Sequence, residues 1–257
     1  MVQQLLAHGG TSDVYQAFDV LTDEYVAIKI TSPRFSQYFY EEANVLSTLN
    51  THKNIVDLLG TFSLPTPNQE LVMVLEKLDY DLQTYMTDVP FWVNSAIRIF
   101  TSVCNAISYC HSHHIAHLDI KPENILVSKD LQKIKLCDFG GSIQWNSANA
   151  LISQANSSTP IYGAPETRTN QPFLADKADI WSLGVLLHVL FTRQWPFPTS
   201  SFEQSLHAAS NGEFMIQQTF PKPLLHLLSR MLSMNANMRP TITEVQQTFI
   251  HHVQYNI

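Results

Sequence analysis

The chain has little of what marks several large protein classes. Its only cysteines are Cys104, Cys110 and Cys137, odd in number and without CxxC spacing. That argues against a disulfide framework or a thiolate zinc site and fits free thiols in a reducing compartment. No run of Lys or Arg occurs, the net charge is -7 and the pI is near 5.8, so the electrostatic footprint of a nucleic-acid binder is missing. No stretch reaches the ~18 apolar residues that suggest a membrane span. The most apolar one, Ile180 to Phe191, is interrupted by Ser182 and His188 and reads as a buried helix. The first ten residues, MVQQLLAHGG, have no basic region and too short an apolar stretch for a signal peptide. Expected partners therefore include neither nucleic acid nor membrane, and the expected location is intracellular, in cytoplasm or nucleus. Without a secretion signal, Asn156-Ser157-Ser158 carries no weight as a glycosylation acceptor.

What is present is core-forming material: 257 residues, 45% of them hydrophobic, enough for one large domain or two closely packed lobes. The first third reads as strands. Val14 to Phe18 and Tyr25 to Ile30 are β-prone runs joined by the polar turn Asp19 to Glu24, which predicts a hairpin. From Phe35 to Asn50 the period changes: Phe39, Val45, Leu46 and Leu49 fall near one helical face. Strand character returns at Ile55 to Phe62 and Leu71 to Leu75. Beyond Asp81 the pattern is helical, most clearly over Phe91 to His113, where Ile97, Phe100, Cys104 and Ile107, with Cys110 or His111, recur every three or four residues. Further helices are predicted at Lys177 to Thr192, Phe202 to Ala209, Pro223 to Leu232 and Ile242 to His251. Strands followed by helices predict two lobes, with a polar hinge over residues 77–81 and a cleft between them suited to a ligand.

Residues 117–124 read His-Leu-Asp-Ile-Lys-Pro-Glu-Asn; Asp138-Phe139-Gly140 follows, then Ala164-Pro165-Glu166. Upstream, Val26-Ala27-Ile28-Lys29 lies on a predicted strand. These motifs stand in the order and approximate spacing of the protein-kinase signature set. Over residues 4 to 251 the chain resembles a eukaryotic-type protein kinase catalytic domain of the serine/threonine class, and several ordered motifs are far more specific than any one of them. Any single Asp or Asn here also suits an ordinary turn; the ordered set does not.

The resemblance implies an α+β bilobal fold spanning residues 1–257 as a single kinase domain, with a small antiparallel N-lobe of about 1–76 carrying one helix and a mainly helical C-lobe of about 82–257. It implies ATP and Mg2+ as cofactors and a protein substrate with a Ser or Thr acceptor. It assigns Asp119 to orient the acceptor hydroxyl, Lys121 to offset charge on the γ-phosphate, and Asn124 and Asp138 to the metal. Lys29 would grip the α- and β-phosphates, with Glu42 rather than Glu41 as its helix partner. Leu75 becomes the gatekeeper, Glu76 to Leu78 the backbone that meets the adenine edge, and Asp81 the ribose neighbour. Val14, Ala27 and Leu126 would sandwich the purine, although aliphatics also fill any core. Thr159 matches the threonine that touches the catalytic aspartate and lysine in serine/threonine kinases. Glu166 and Arg239 match a buried ion pair, and Asp179 the residue that braces the catalytic loop.

Three departures stand out. The family's three phosphate-loop glycines fall on Ala7, Gly9 and Ser12, so only the middle one is kept, which predicts a looser nucleotide grip. Leu118 replaces the arginine that reads activation-loop phosphate in many kinases, so a phosphate on Ser142, Ser153, Ser157 or Ser158 would lack its bidentate partner and activity is expected without it. The chain is short, similar to minimal kinases of viruses and intracellular parasites, and is expected to be a catalytic domain alone. Leu118 is similar to Mos and the Wee family and the hinge to cyclin-dependent kinases, which leaves the subfamily open. Asp81, Glu123 and the acidic charge suggest tolerance for basic residues near the acceptor. The histidines at 111, 113, 114 and 117 lack the spacing of a closed zinc site. The rival reading is a pseudokinase that serves as a nucleotide-binding or interaction scaffold; a small-molecule phosphotransferase is disfavoured by the activation segment.

Overall fold

The computed structural model describes residues 2–49, 52–65, 68–145, 151–153, 159–198 and 201–256. The N-terminal part is an antiparallel sheet of β1 (Val2–His8), β2 (Ser12–Asp19), β3 (Glu24–Thr31), β4 (Leu58–Ser63) and β5 (Leu71–Glu76), in the order β1-β2-β3-β5-β4, with helix α1 (Ser36–Leu49) inserted between β3 and β4. β3 is central, so the two-residue alternation of its side chains divides it cleanly. Val26 and Ile28 join Ala17 and Val72 in a small cluster on one face. Ala27 and Lys29 lie on the other, which faces the cleft.

Four short strands and one helix that sequence periodicity passed over make the join between the lobes. After β5 the chain forms β6 (Tyr80–Asp81) and α2 (Leu82–Asp88), then the long α3 (Val93–Ser112) and β7 (Ile115–Ala116). The hairpin β8 (Ile125–Val127) and β9 (Ile134–Leu136) pairs with β6 in a three-stranded sheet under the cleft. These elements are two or three residues long or a single short helix, below the length at which a period can be recognised. α2 is started by Asp81, whose carboxylate accepts from the backbone N–H of Thr84 at 2.8 Å, a stabilising N-cap.

The predicted strand Ile55 to Phe62 is corrected to Leu58–Ser63. The residues before it do not join the sheet. Val56 donates to the carbonyl of Leu136 at 2.9 Å, and Leu136 donates to that of Asn54 at 2.8 Å, so this stretch is stapled to β9 of the other lobe. The predicted helix over Pro223 to Leu232 is also split, into a 3-10 turn at Lys222–Leu224 and a short α-helix at Leu225–Met231, because proline at the start lacks an N–H and suits the tighter turn.

The helical lobe is completed by β10 (Ile143–Gln144), β11 (Leu151–Ile152), β12 (Phe173–Leu174), α4 (Ala175–Thr192), α5 (Phe202–Asn211), α6 (Leu225–Met231) and α7 (Ile242–Asn256). α4 is buried on every side, from Ala178 through Leu190, as expected of the most apolar segment. α3 and α7 pack against each other, with Phe100 and Phe249 rings 4.6 Å apart. The result is the two-lobed α+β architecture. Among the described residues no helix is long and apolar enough to cross a membrane.

Candidate active site

The cleft face of the sheet sets the first group of residues. In the β2–β3 register Val14 stands opposite Lys29, and in the β3–β5 register Ala27 stands opposite Leu75. The three residues Val14, Ala27 and Leu75 therefore share a face with Lys29, and Leu126 approaches from β8 across the join. In α1 the helical phase buries Phe39, Glu42, Val45, Leu46 and Leu49. Glu42 is thus turned inward, while Glu41 stays outside and accepts from Gln37.

Lys29 and Glu42 meet across the gap between sheet and helix. The ammonium donates to both carboxylate oxygens, at 2.8 and 2.7 Å, and to Oδ1 of Asp138 at 2.9 Å. Burial opposes the charge on Lys29, but the two carboxylates outweigh it and raise the pKa above the usual lysine range. At Asp138 burial favours the neutral acid, and Lys29 outweighs it to hold the carboxyl below its usual value. Asp138 has a left-handed backbone, φ 61°, unusual for a residue with a side chain, and its side chain remains 46% exposed.

The second group surrounds Asp119, which is 7% exposed. Its Oδ1 accepts from the backbone N–H and the hydroxyl of Thr159, at 3.0 and 2.8 Å. Its Oδ2 accepts from the amide nitrogen of Asn124 and pairs with the Lys121 ammonium, both at 2.8 Å. Lys121 also donates to the Thr159 hydroxyl at 2.7 Å. Burial works against the charge on Asp119; Lys121 and Thr159 overcome it and keep the carboxyl below its usual range.

His117 and Cys137 join the two groups. His117 Nδ1 accepts from the backbone N–H of Asp119, and its Nε2 donates to the carbonyl of Cys137, beside Asp138. The His117 ring meets the Phe139 ring edge-on at 4.7 Å. Beneath them Asp179, fully buried, accepts from the N–H of His117 at 2.9 Å and of Leu118 at 2.8 Å. Leu118 has φ 62°; two charge-assisted hydrogen bonds on consecutive amides hold this strained turn, whose intrinsic cost is about 1–2 kcal/mol. The Leu118 side chain is 3% exposed and belongs to the main core. Glu166 and Arg239 pair as well, with Nη2 to Oε2 at 2.9 Å, and the guanidinium lies over the Trp181 ring.

The other positions expected on the nucleotide side are less tightly gathered. Ala7 and Gly9 are exposed, on and just past β1; the Gly9 N–H donates to the Ser12 carbonyl at 3.0 Å and closes the turn. A Cβ on Gly9 would lie 2.9 Å from that carbonyl oxygen, so this glycine is required by close approach. Both oxygens of Asp81 are engaged by Thr84, through its N–H and its hydroxyl. Leu78 sits between β5 and β6, half-buried. Glu76 turns its carboxylate away from the sheet face that carries Lys29, where it accepts from Lys133 at 2.8 Å and pairs with Lys135 at 2.6 Å; Lys135 in turn reaches Asp57 at 2.8 Å, and the Glu76 N–H donates to the Asp57 carbonyl. Sequence reasoning missed this clasp behind the hinge. Its one signal was a lysine in an otherwise apolar strand, Ile134-Lys135-Leu136.

The histidines are engaged separately: His111 with Asp179, His113 with the Tyr109 carbonyl, His117 as above. Of the four serines named for phosphorylation, Ser142 donates to the Phe139 carbonyl and Ser153 follows β11, while Ser157 and Ser158 lie outside the described residues.

A magnesium ion fits the donor set. Asn124 commits its nitrogen to Asp119, which leaves its amide oxygen as the acceptor, and Asp138 presents a half-exposed carboxylate; a hard cation takes such oxygens.

Residues 1–250 match the protein kinase domain family. The chain is 28% identical over 246 residues to sperm motility kinase 2B of Mus musculus, covering 94% of this chain and 49% of that protein. It is 30% identical over 253 residues to the carbon catabolite-derepressing protein kinase of Candida glabrata, covering 96% and 40%. It is 31% identical over 252 residues to CBL-interacting protein kinase 12 of Oryza sativa subsp. japonica, covering 94% and 45%. The chain thus spans about half the length, or less, of these relatives. A family match that runs through nearly every residue, around a cleft where Lys29, Glu42 and the loop residues Asp119, Lys121, Asn124, Asp138 and Thr159 are gathered, makes this chain a member of the protein kinase family.

Proposed function

We propose that the chain transfers the γ-phosphate of ATP to Ser or Thr hydroxyls of protein substrates, and that it does so without a phosphate on its activation segment. The observation that most supports transfer, rather than a scaffold role, is the Lys29 ammonium held at once by Glu42 and Asp138. In this reading the cation that would grip the phosphates stands beside the carboxylate that would hold the metal.

In this reading Lys29 binds the α- and β-phosphates while Val14, Ala27, Leu75 and Leu126 enclose the purine, Glu76 and Leu78 offer it backbone groups, and Asp81 stands near the ribose. Ala7 and Gly9 cover the phosphates. Asn124 and Asp138 hold magnesium, which when bound neutralises charge on the phosphate oxygens. The acceptor hydroxyl is oriented by the Asp119 carboxylate, which takes its proton as the oxygen attacks the γ-phosphorus and the bond to the β–γ bridging oxygen breaks, with ADP as the leaving group. Lys121 offsets charge on the transferred group, and Thr159 keeps the carboxylate aimed. Independence from phosphorylation rests on Leu118: an apolar side chain buried in the core offers a phosphate nothing to bind.

The test is magnesium-dependent transfer of labelled γ-phosphate to a generic protein substrate, with Asp119→Asn as the control. Loss of transfer in the variant supports the reading. If neither protein transfers, a rise in melting temperature with ATP and magnesium points to a nucleotide-binding pseudokinase, the reading favoured by Ala7 and Ser12 in the phosphate loop. Phosphatase treatment separately tests the activation segment: the second half of the proposal fails if treatment abolishes activity and re-phosphorylation restores it.

A further inference from the structure

Leu118 sends no polar side chain toward the activation segment, so the segment's link to the catalytic loop must be made elsewhere. Thr159 provides it at one end. At the other end, the stretch that follows Asp138-Phe139-Gly140 is laid against the entry to the catalytic loop residue by residue. Ile143 pairs with Ala116 and Gln144 with Ile115, and the Trp145 N–H donates to the His114 carbonyl at 2.9 Å. The Trp145 indole is half-buried against two rings, with centroids 5.9 Å from His111 and 5.8 Å from His114.

His111 is the point of contact with the catalytic machinery. Its Nε2 donates to Oδ2 of Asp179 at 2.9 Å, the same oxygen that accepts the His117 N–H, while Oδ1 accepts the Leu118 N–H. The backbone that delivers Asp119 therefore hangs on a carboxylate whose orientation depends on His111, and His111 is packed by a side chain of the activation segment.

We propose that Trp145 is a positioning residue for phosphoryl transfer: by packing on His111 and His114 it keeps His111 on Asp179, and through Asp179 it fixes the left-handed turn at Leu118 that presents Asp119. Ring packing at Trp145 does here what a phosphate–arginine contact would do from the segment's far side. The catalytic consequence rests on the reading of Asp119 given above; the mechanical one does not.

The experiment compares the intact chain with Trp145→Ala, Trp145→Phe and His111→Phe, by amide hydrogen exchange and by steady-state kinetics. Exchange at His117 and Leu118 in Trp145→Ala is expected to speed up about tenfold or more, while Val245 in the distant α7 core keeps its protection. Because small misplacements at a reacting group are costly, kcat is expected to fall about tenfold to a hundredfold, with KM for ATP within about twofold. Trp145→Phe, which keeps a ring, restores both. His111→Phe gives the same exchange pattern, and adding Trp145→Ala to it causes little further change, since the two act in series. Unchanged exchange at His117 and Leu118 overturns the proposal, as does equal loss of protection at Val245 or additive effects in the double variant. If Trp145→Ala does not fold, His111→Phe decides by the same readout. If the wild type transfers no phosphate, the kinase reading fails, and exchange still decides the role of Trp145.

Discussion

The hydroxyl of Thr159 donates to Oδ1 of Asp119 over 2.8 Å, and the same hydroxyl accepts from Lys121. One short side chain on the activation segment thus sets the spacing of the two loop residues proposed to act on the acceptor and on the phosphate. Thr159→Ala removes both contacts and leaves Lys121 with its direct pairing to Asp119 Oδ2 alone. Its kcat is expected to drop about tenfold to a hundredfold, with KM for ATP little changed, while Thr159→Ser retains most activity. Steady-state kinetics on the three proteins check this.

Lys29 and Glu42 form an ion pair with side chains 12% and 5% exposed. Lys29→Met is expected to abolish transfer and, by leaving Glu42 buried without its partner, to cost about 3–5 kcal/mol of stability. Lys29→Met combined with Glu42→Leu regains most of that stability and none of the activity. Urea denaturation beside the transfer assay separates the two effects.

The Glu76–Lys135–Asp57 clasp ties the hinge to β9 and to the turn before β4. Lys135 is 6% exposed. Replacing it with Met leaves the Glu76 carboxylate with Lys133 alone and loosens the side-chain tie between the hinge and β9, so KM for ATP is expected to rise while kcat holds. Stability falls by about 1–3 kcal/mol, the usual penalty for a buried polar group that loses a partner. A nucleotide titration and a urea curve test both parts.

His188 is fully buried in α4: Nδ1 donates to the Gln194 carbonyl at 2.8 Å and Nε2 accepts from the Gln217 N–H at 3.3 Å. Burial lowers its pKa, and an imidazolium would turn Nε2 into a donor facing a donor. The folded state therefore holds a neutral ring. The unfolded chain begins to bind this proton as pH falls through about 6.5, so His188 lowers stability progressively below that pH, by up to about 1.4 kcal/mol per pH unit. Stability curves over pH 7 to 5 are expected to be shallower for His188→Gln, by as much as one proton in slope.

The ordered motifs were legible in the sequence because their spacing is carried by short, rigid connections: Asp119, Lys121 and Asn124 lie within one loop, and Asp138 follows a three-residue strand. Lys29 and Glu42 were named from the resemblance, and the choice fits because alternation along β3 puts Lys29 on the cleft face and the 3.6-residue period of α1 buries Glu42 beside Phe39 and Leu46. The resemblance supplied roles for these residues that no periodicity could. Residues local to one element, or to one turn, were within the reach of this reasoning.

Other relationships were decided only by tertiary structure. That α1 rests inward with Glu42 on Lys29, that Lys135 reaches both Glu76 and Asp57, and that Trp145 packs on the ring bonded to Asp179 are contacts between segments far apart in the chain. Sequence determines which side chains are available and which face of an element they take. It does not set how two faces meet, because that depends on small differences among packed arrangements of the whole core.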